Sequence, residues 1–237
     1  MVWQGWARQG FAAGAISPAP AKQGDRLPSD PERDTMNTAA YRITGISPLL
    51  MHNGQAIDPL NQYAKEMKRI SKKKNKTDED QGIMSRVEFF MSLYHNGKPD
   101  AIQDGEITVD PNARLVLRDL GLEALIIGGA KKLKQGNSAK SGIIVEEDAI
   151  LEYDGPRNIN ELWTGGKHVH RVPVRVGTAR VMRTRPIFRV WSATIGVTFD
   201  QQVIDEPEIF AILKVAGQQV GIGDWRPRFG RFEVSRK

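Results

Sequence analysis

Between Lys167 and Phe199 the chain carries Lys167, Arg171, Arg175, Arg180, Arg183, Arg185 and Arg189, and no Asp or Glu. Arginine dominates the segment, and its planar guanidinium matches a phosphate bidentately and also lies flat on a base. The chemistry that suits is non-covalent: charge neutralisation along a nucleic-acid backbone. A second concentration of such residues is the run Gly221-Ile222-Gly223-Asp224-Trp225-Arg226-Pro227-Arg228-Phe229-Gly230-Arg231. Its glycines, Gly221 and Gly223 first, permit positive φ and let backbone amides approach a phosphate. Arg226, Arg228 and Arg231 add charge, and Trp225 offers a stacking surface. The blander readings are a solvated arginine face and a tight β-connection with Trp225 tucked into the core.

Catalytic chemistry finds less material. The histidines are His52, His95, His168 and His170. His168 and His170 would share one face of a strand, but no clustered carboxylates nearby complete a metal site. His52 is the one candidate general base for metal-independent RNA cleavage. The sequence contains no G-x-S-x-G, no phosphate-loop motif and no H-E-x-x-H. Glu146-Glu147-Asp148 reads as a solvated strand end. The expectation is a non-enzymatic protein with no metal and no cofactor.

Composition agrees. Thirty-four Lys and Arg against 28 Asp and Glu give a formal net charge of +6, which favours an acidic partner without separating RNA from DNA. The absence of cysteine excludes disulfides and thiolate zinc sites and suits a cytoplasmic location. No apolar run approaches the roughly 18 residues of a membrane span, and no secretory signal is evident, so no membrane partner is expected.

The elements that must position these residues follow from periodicity. Residues 1–35 read as a disordered leader, because Ser17-Pro18-Ala19-Pro20 and Leu27-Pro28 break any pattern; residues 36–237 read as a single nucleic-acid-binding domain. Ala40–Met51 predicts a strand interrupted by Pro48. Asp58-Pro59 predicts the start of a helix with Leu60, Tyr63, Ala64, Met67 and Ile70 as its apolar stripe. Lys72-Lys73-Lys74-Asn75-Lys76 followed by Asp78-Glu79-Asp80 predicts a mobile solvent loop, and Met84–Tyr94 a second helix. Further on come a short strand at Glu106–Val109, a helix over Leu117–Lys134 with Gly128-Gly129 packed closely, and a strand over Ile143–Tyr153. Val172, Val174 and Val176 alternate with Arg171, Pro173 and Arg175, the period of a strand with one basic face. By the same period Arg183 and Arg185 lie opposite Met182 and Thr184. Trp191–Phe199 is a strand with a small, polar outer face. Asp205-Glu206-Pro207-Glu208 is a capping box opening a helix that stops at Gly217, and Phe232–Val234 is the last strand. Strand, helix, glycine-rich loop, strand is half of a ferredoxin-like unit, the topology of RNA-recognition modules.

Two segments together resemble the RAMP superfamily of CRISPR-associated proteins: Ile46-Ser47-Pro48-Leu49-Leu50-Met51-His52-Asn53-Gly54 after the first strand, and the glycine-rich loop before the last. The resemblance covers the two ends of residues 36–237 and not the middle. It implies a modified ferredoxin-like core with insertions, and places Lys131 and Lys132 on the glycine-bearing helix that this superfamily often presents. It also brings His52 beside the binding motif and points to backbone subunits that polymerise along guide RNA. No thumb-like hairpin is assignable from the sequence. The reading is thus an α+β, non-enzymatic protein binding single-stranded nucleic acid, RNA ahead of DNA, as a homo-oligomer or filament. A phage-type single-stranded DNA binding or annealing protein, a structural or assembly protein, and a metal-independent ribonuclease are the alternatives.

Overall fold

The computed structural model describes residues 36–237, and the leader read over residues 1–35 lies outside them. Strand β1 (Met36–Gly45) turns inward Tyr41 and Ile43, and Pro48 separates it from the short β2 (Leu49–Leu50). An insertion follows, built of α1 (Gln62–Ser71), α2 (Asp78–Met91), the hairpin β3 (Ala101–Gln103) and β4 (Glu106–Thr108), and β5 (Val116–Leu117). Helix α1 starts later than Asp58-Pro59 predicts. Asp58 closes a turn by accepting from the Leu60 amide at 2.8 Å, while Asn61 caps the helix through the Tyr63 amide at 2.9 Å. Leu60 is consequently exposed, and Tyr63 and Ile70 are buried.

The predicted solvent loop at Asp78-Glu79-Asp80 is instead the first turn of α2. Thr77 and Asp80 form a reciprocal capping box, Asp80 pairs with Lys73 at 2.6 Å, and three acidic residues complement the helix N-terminus. Thr77, just ahead of the acidic run, is the residue that sequence reasoning passed over.

The chain continues through α3 (Asp119–Lys132), α4 (Gly136–Gly142), β6 (Ile143–Ile144) and β7 (Ala149–Tyr153). The single strand expected over Ile143–Tyr153 is broken because Asp148 turns away to accept the Asp119 amide at 2.9 Å, at the start of α3. Then come α5 (Glu161–Thr164), a long hairpin of β8 (Val169–Val176) and β9 (Ala179–Phe188), β10 (Trp191–Asp200), α6 (Glu206–Val215), a π-helical turn over Ala216–Val220, the glycine-rich loop, and β11 (Phe232–Arg236). The capping box of α6 forms as read, with Asp205 accepting from Glu208 N at 2.8 Å and Glu208 from Asp205 N at 3.1 Å.

The fold is α+β. The main sheet runs β11-β1-β10-β7-β5 with every neighbour antiparallel, and β6 adds to β10. Strands β1, β7, β10 and β11, with α3 in the first crossover and α6 in the second, make the β-α-β-β-α-β unit of a ferredoxin-like core. Leu122, Leu125 and Ile126 of α3 and Ile209, Ile212 and Leu213 of α6 join Tyr41, Ile43, Ile195 and Val197 of the sheet in one apolar cluster. Gly129 makes the helix contact possible, since a Cβ there would come within 2.7 Å of the Ile212 carbonyl and 2.8 Å of Ala216 Cβ. By strand alternation the opposite sheet face presents Thr38, Arg42, Ser192, Thr194 and Thr198, with Arg42 paired to Glu152 at 2.7 Å. That face offers no aromatic ring from β1 or β10, so bases cannot stack on it in the manner of RNA-recognition modules.

Candidate nucleic-acid interface

The arginine segment folds into the β8–β9 hairpin, inserted between the second and third core strands and braced on β2 through Leu49–Phe188 and Leu50–Ile187 pairing. Sequence reading gave this segment its alternation but not its pairing into a hairpin. Its register sets Arg171 opposite Thr184, Pro173 opposite Met182 and Arg175 opposite Arg180, so these residues share one face. Arg171, Arg175, Arg180 and Met182 are exposed, whereas Val172, Val174 and Val181 on the other face are half-buried. Two arginines directly opposite repel each other. Among the described residues none of the three arginines has a carboxylate partner. An anion spanning Arg175 and Arg180 would relieve that repulsion.

Arg183 and Arg185 correct the sequence reading. Alternation does put them on one face, but that face is turned toward α2 and the glycine-rich loop. Arg183 Nη1 donates to Glu88 Oε1 at 2.6 Å, and the other oxygen of this buried carboxylate accepts the Thr184 amide at 2.9 Å. Arg185 is buried, with Nε 3.5 Å from Asp224 Oδ2 and Nη1 donating to the Thr184 carbonyl at 3.2 Å. Both guanidinium groups hold the hairpin to the body and are not free phosphate contacts. Arg189 bonds the Lys167 carbonyl, and Lys167 pairs with Asp154 at 2.8 Å, so this pair anchors the hairpin's base.

The glycine-rich loop is also corrected. Gly221, Gly223 and Gly230 do have positive φ, of 73°, 87° and 72°, but their neighbours are protein atoms. A Cβ on Gly223 would collide with the Leu50 carbonyl and one on Gly230 with that of Ile222. The loop amides are likewise committed: Asp224 N donates to Leu50 O at 2.7 Å, Gly230 N to Pro48 O at 2.8 Å and Arg231 N to Ser47 Oγ at 2.9 Å. The glycines therefore dock the loop onto the Ser47–Leu50 segment rather than cradle a phosphate.

What remains outward is the charged and aromatic part. Arg226, Arg228 and Arg231 are exposed, and Trp225, itself at a positive φ of 52°, is 38% exposed. Trp225 packs edge-on against His170 of β8 at 5.6 Å, and Phe229 closes the cluster at 5.7 Å from His170. The hairpin and the loop, far apart in sequence, thus meet at one aromatic junction. His168 sits elsewhere, buried against Tyr153 and Phe188 with Nδ1 3.1 Å from the Ile187 carbonyl, so the two histidines do not face one another's partners. Burial holds both imidazoles below their ordinary range.

Beside the junction a groove of about 390 Å³ runs between the loop, the Leu49–His52 segment and α3. Its walls include Met51, His52, Tyr94, Arg118, Leu120 and Arg226. A shallower hollow continues along α3 past Ala124 and Gly128 to Lys132, again with Arg226 on its border. Lys131 and Lys132 are exposed in the last turn of α3. His52 is exposed at the groove mouth, and partial desolvation, with the Arg185 charge behind it, keeps its imidazole below the usual value. Arg118 and Tyr94 were missed by sequence reasoning. An arginine at the entry of a predicted helix is an available signal for the first; nothing local marks the second.

No protein-family model matches the chain, and no curated protein matches it. Among solved structures, the crystal structure of Cmr6 from Pyrococcus furiosus aligns over 85% of this chain and 99% of its own, with 11% identity and a TM-score of 0.32. At that level the likeness carries no functional information.

Proposed function

We propose that the protein binds single-stranded nucleic acid without cleaving it, RNA ahead of DNA, through the outer face of the β8–β9 hairpin and the adjoining loop and groove. The observation that carries this reading is a set of exposed arginines, on the hairpin's outer face and on the loop, that have no carboxylate partner among the described residues. Arg226 and Arg228 are exposed on the loop that carries Trp225 and Phe229 of the aromatic cluster, and Arg171, Arg175 and Arg180 are exposed on the hairpin face opposite His170. Guanidinium groups beside a partly exposed indole are the ingredients of sequence-tolerant single-strand binding: charge for phosphates and a π-surface for a base. The proposal that copies assemble along the strand rests on the resemblance of the Ser47-Pro48-Leu49 segment and the glycine-rich loop to the RAMP superfamily.

Fluorescence anisotropy of a labelled unstructured RNA strand tests it. Affinity should fall steeply between about 50 and 200 mM salt, and Arg171→Ala with Arg175→Ala and Arg180→Ala should shallow the salt slope by about three units. A flat salt response, or tighter binding of duplex than of single strand, overturns the reading. Cleavage of the strand in chelator that disappears in His52→Ala would assign the ribonuclease chemistry instead.

A further inference from the structure

The groove between the glycine-rich loop, the Leu49–His52 segment and α3 has a charge pattern of its own. None of the residues lining it is a carboxylate, and the side chains in its walls able to carry charge near neutral pH are Arg118, Arg226 and His52. Arg118 is partly engaged by Asp148, 3.3 Å away, and by Asp119 at 3.9 Å. Arg226 is exposed and has no carboxylate partner among the described residues. Tyr94 also lines the groove, but burial pushes its hydroxyl above the ordinary range, and Oη donates to the His52 carbonyl at 3.2 Å, so it stays neutral.

His52 is fixed through its neighbours' backbone, Met51 N donating to the Pro186 carbonyl and Asn53 N to that of Ser92, each at 3.0 Å, while the residue itself is exposed. The charged groups that act on its ring come from every element packed around it. Arg183 of β9 is paired with Glu88 of α2 at 2.6 Å, and Arg185 of β9 lies 3.5 Å from Asp224 of the loop. The groove adds Arg118 of α3 and Arg226 of the loop. Both carboxylates near the ring are thus already engaged by arginines, and neither is free to hold a proton on the imidazole. Histidine is the side chain whose charge changes between about pH 5 and 8. An anion at the groove mouth would supply the counter-charge that the protein withholds.

We infer that the backbone of the bound strand crosses this groove mouth with one phosphate against His52 and Arg226, and that binding takes up one proton from solvent, carried on the His52 ring. The phosphodiester is anionic throughout, so the proton stays on the imidazole, which donates a charge-assisted hydrogen bond to a phosphate oxygen. The strand favours the charged ring, and affinity therefore rises as pH falls. Folding has the opposite sign, because burial and Arg185 favour the neutral ring in the free protein. The inference rests on the single-strand binding proposed above and adds to it a phosphate position and a proton.

The test follows binding of a labelled oligouridine, whose bases do not titrate in this range, by fluorescence anisotropy from about pH 8 to about pH 6 at one ionic strength. Affinity of the unaltered protein should rise roughly fivefold over that interval, within the limit of about tenfold per pH unit that uptake of one proton sets. His52→Gln and His52→Lys should both lose the dependence, the first because the titrating ring is gone and the second because its charge is permanent. His52→Lys should bind more tightly than His52→Gln at every pH. In the unaltered protein, the His52 ring titration followed by NMR should move to higher pH when the strand is added, a readout that needs no variant to fold. A pH dependence that survives His52→Gln, or an NMR midpoint that the strand leaves in place, overturns the inference. Equal affinity at every pH overturns the proton uptake and leaves single-strand binding standing; no binding at any pH overturns both.

Discussion

Arg171 and Arg183 sit on the same hairpin and answer to different partners, and mutation should separate them. Replacing Arg171, Arg175 and Arg180 by alanine removes charge from an exposed face without a carboxylate partner among the described residues, so the melting temperature should hold while nucleic-acid affinity falls. Replacing Arg183 by glutamate sets a second carboxylate beside buried Glu88 and should destabilise the fold. Breaking a buried pair costs about 3–5 kcal/mol, less here because Arg183 is 38% exposed. Denaturant titrations of both variants check the contrast, and an unshifted midpoint for Arg183→Glu would show that Glu88 does not depend on it. The histidines give a pH dependence of defined sign. His52, His168 and His170 are all held below the ordinary 6.5, chiefly by burial. In the window below pH 6.5 the unfolded chain binds protons that the folded one refuses, so their contribution is complete above that value and is lost as pH falls through it. Thermal melts should therefore show lower stability at about pH 5.5 than at about pH 7.5, before the paired carboxylates begin to protonate. His168→Gln should flatten part of that slope.

Glycine tells the elements apart more sharply than charge does. Gly129→Ala should wedge α3 from α6, because the added Cβ meets the Ile212 carbonyl at 2.7 Å in a closely packed contact; an overpacking cost of roughly 1–3 kcal/mol is expected in denaturant unfolding. Gly230→Ala should be worse, since φ is 72° and the Ile222 carbonyl occupies the space. A loop that opened to hold a phosphate would tolerate the change, so a fully stable Gly230→Ala protein would reverse the docking assigned to it. The same elements show how far the sequence could be read. The core strands, the α6 capping box and the close approach at Gly128-Gly129 were legible because alternation, D-x-x-E and paired glycines are local signals. The hairpin β8–β9 was half legible: alternation gave its faces correctly, but which face meets the body depends on Glu88, nearly a hundred positions away. The glycine-rich loop misled for a related reason. A glycine that admits a phosphate and one that admits the Leu50 carbonyl look identical in sequence.

At the scale of the whole molecule, the surface is divided in a way that bears on assembly. The arginine face of the hairpin, the groove along α3 and the exposed Lys72, Lys74 and Lys76 are basic, whereas the open sheet face presents Thr38, Thr194 and Thr198. The hairpin end is exposed from Arg175 to Arg180, with Val176 52% exposed and Met182 46% exposed beside the arginines. Apolar side chains at the end of a long arm gain by covering a neighbour, and Leu120 at the groove wall, 72% exposed, is a matching apolar site on a different part of the surface. A contact between unlike patches of identical copies is heterologous: it closes into a ring if the rotation permits and otherwise extends. A strand lying in the groove of one copy and across the hairpin of the next would bias the arrangement toward extension, with cooperativity along the strand. Binding should then be cooperative, and particle mass by light scattering should rise in steps with the length of the added strand. Met182→Asp should abolish the steps while leaving one-to-one binding of a short strand in place. Particles of one fixed mass at every strand length would exclude the open assembly, and Met182→Asp particles that still grow would place the contact elsewhere on the molecule.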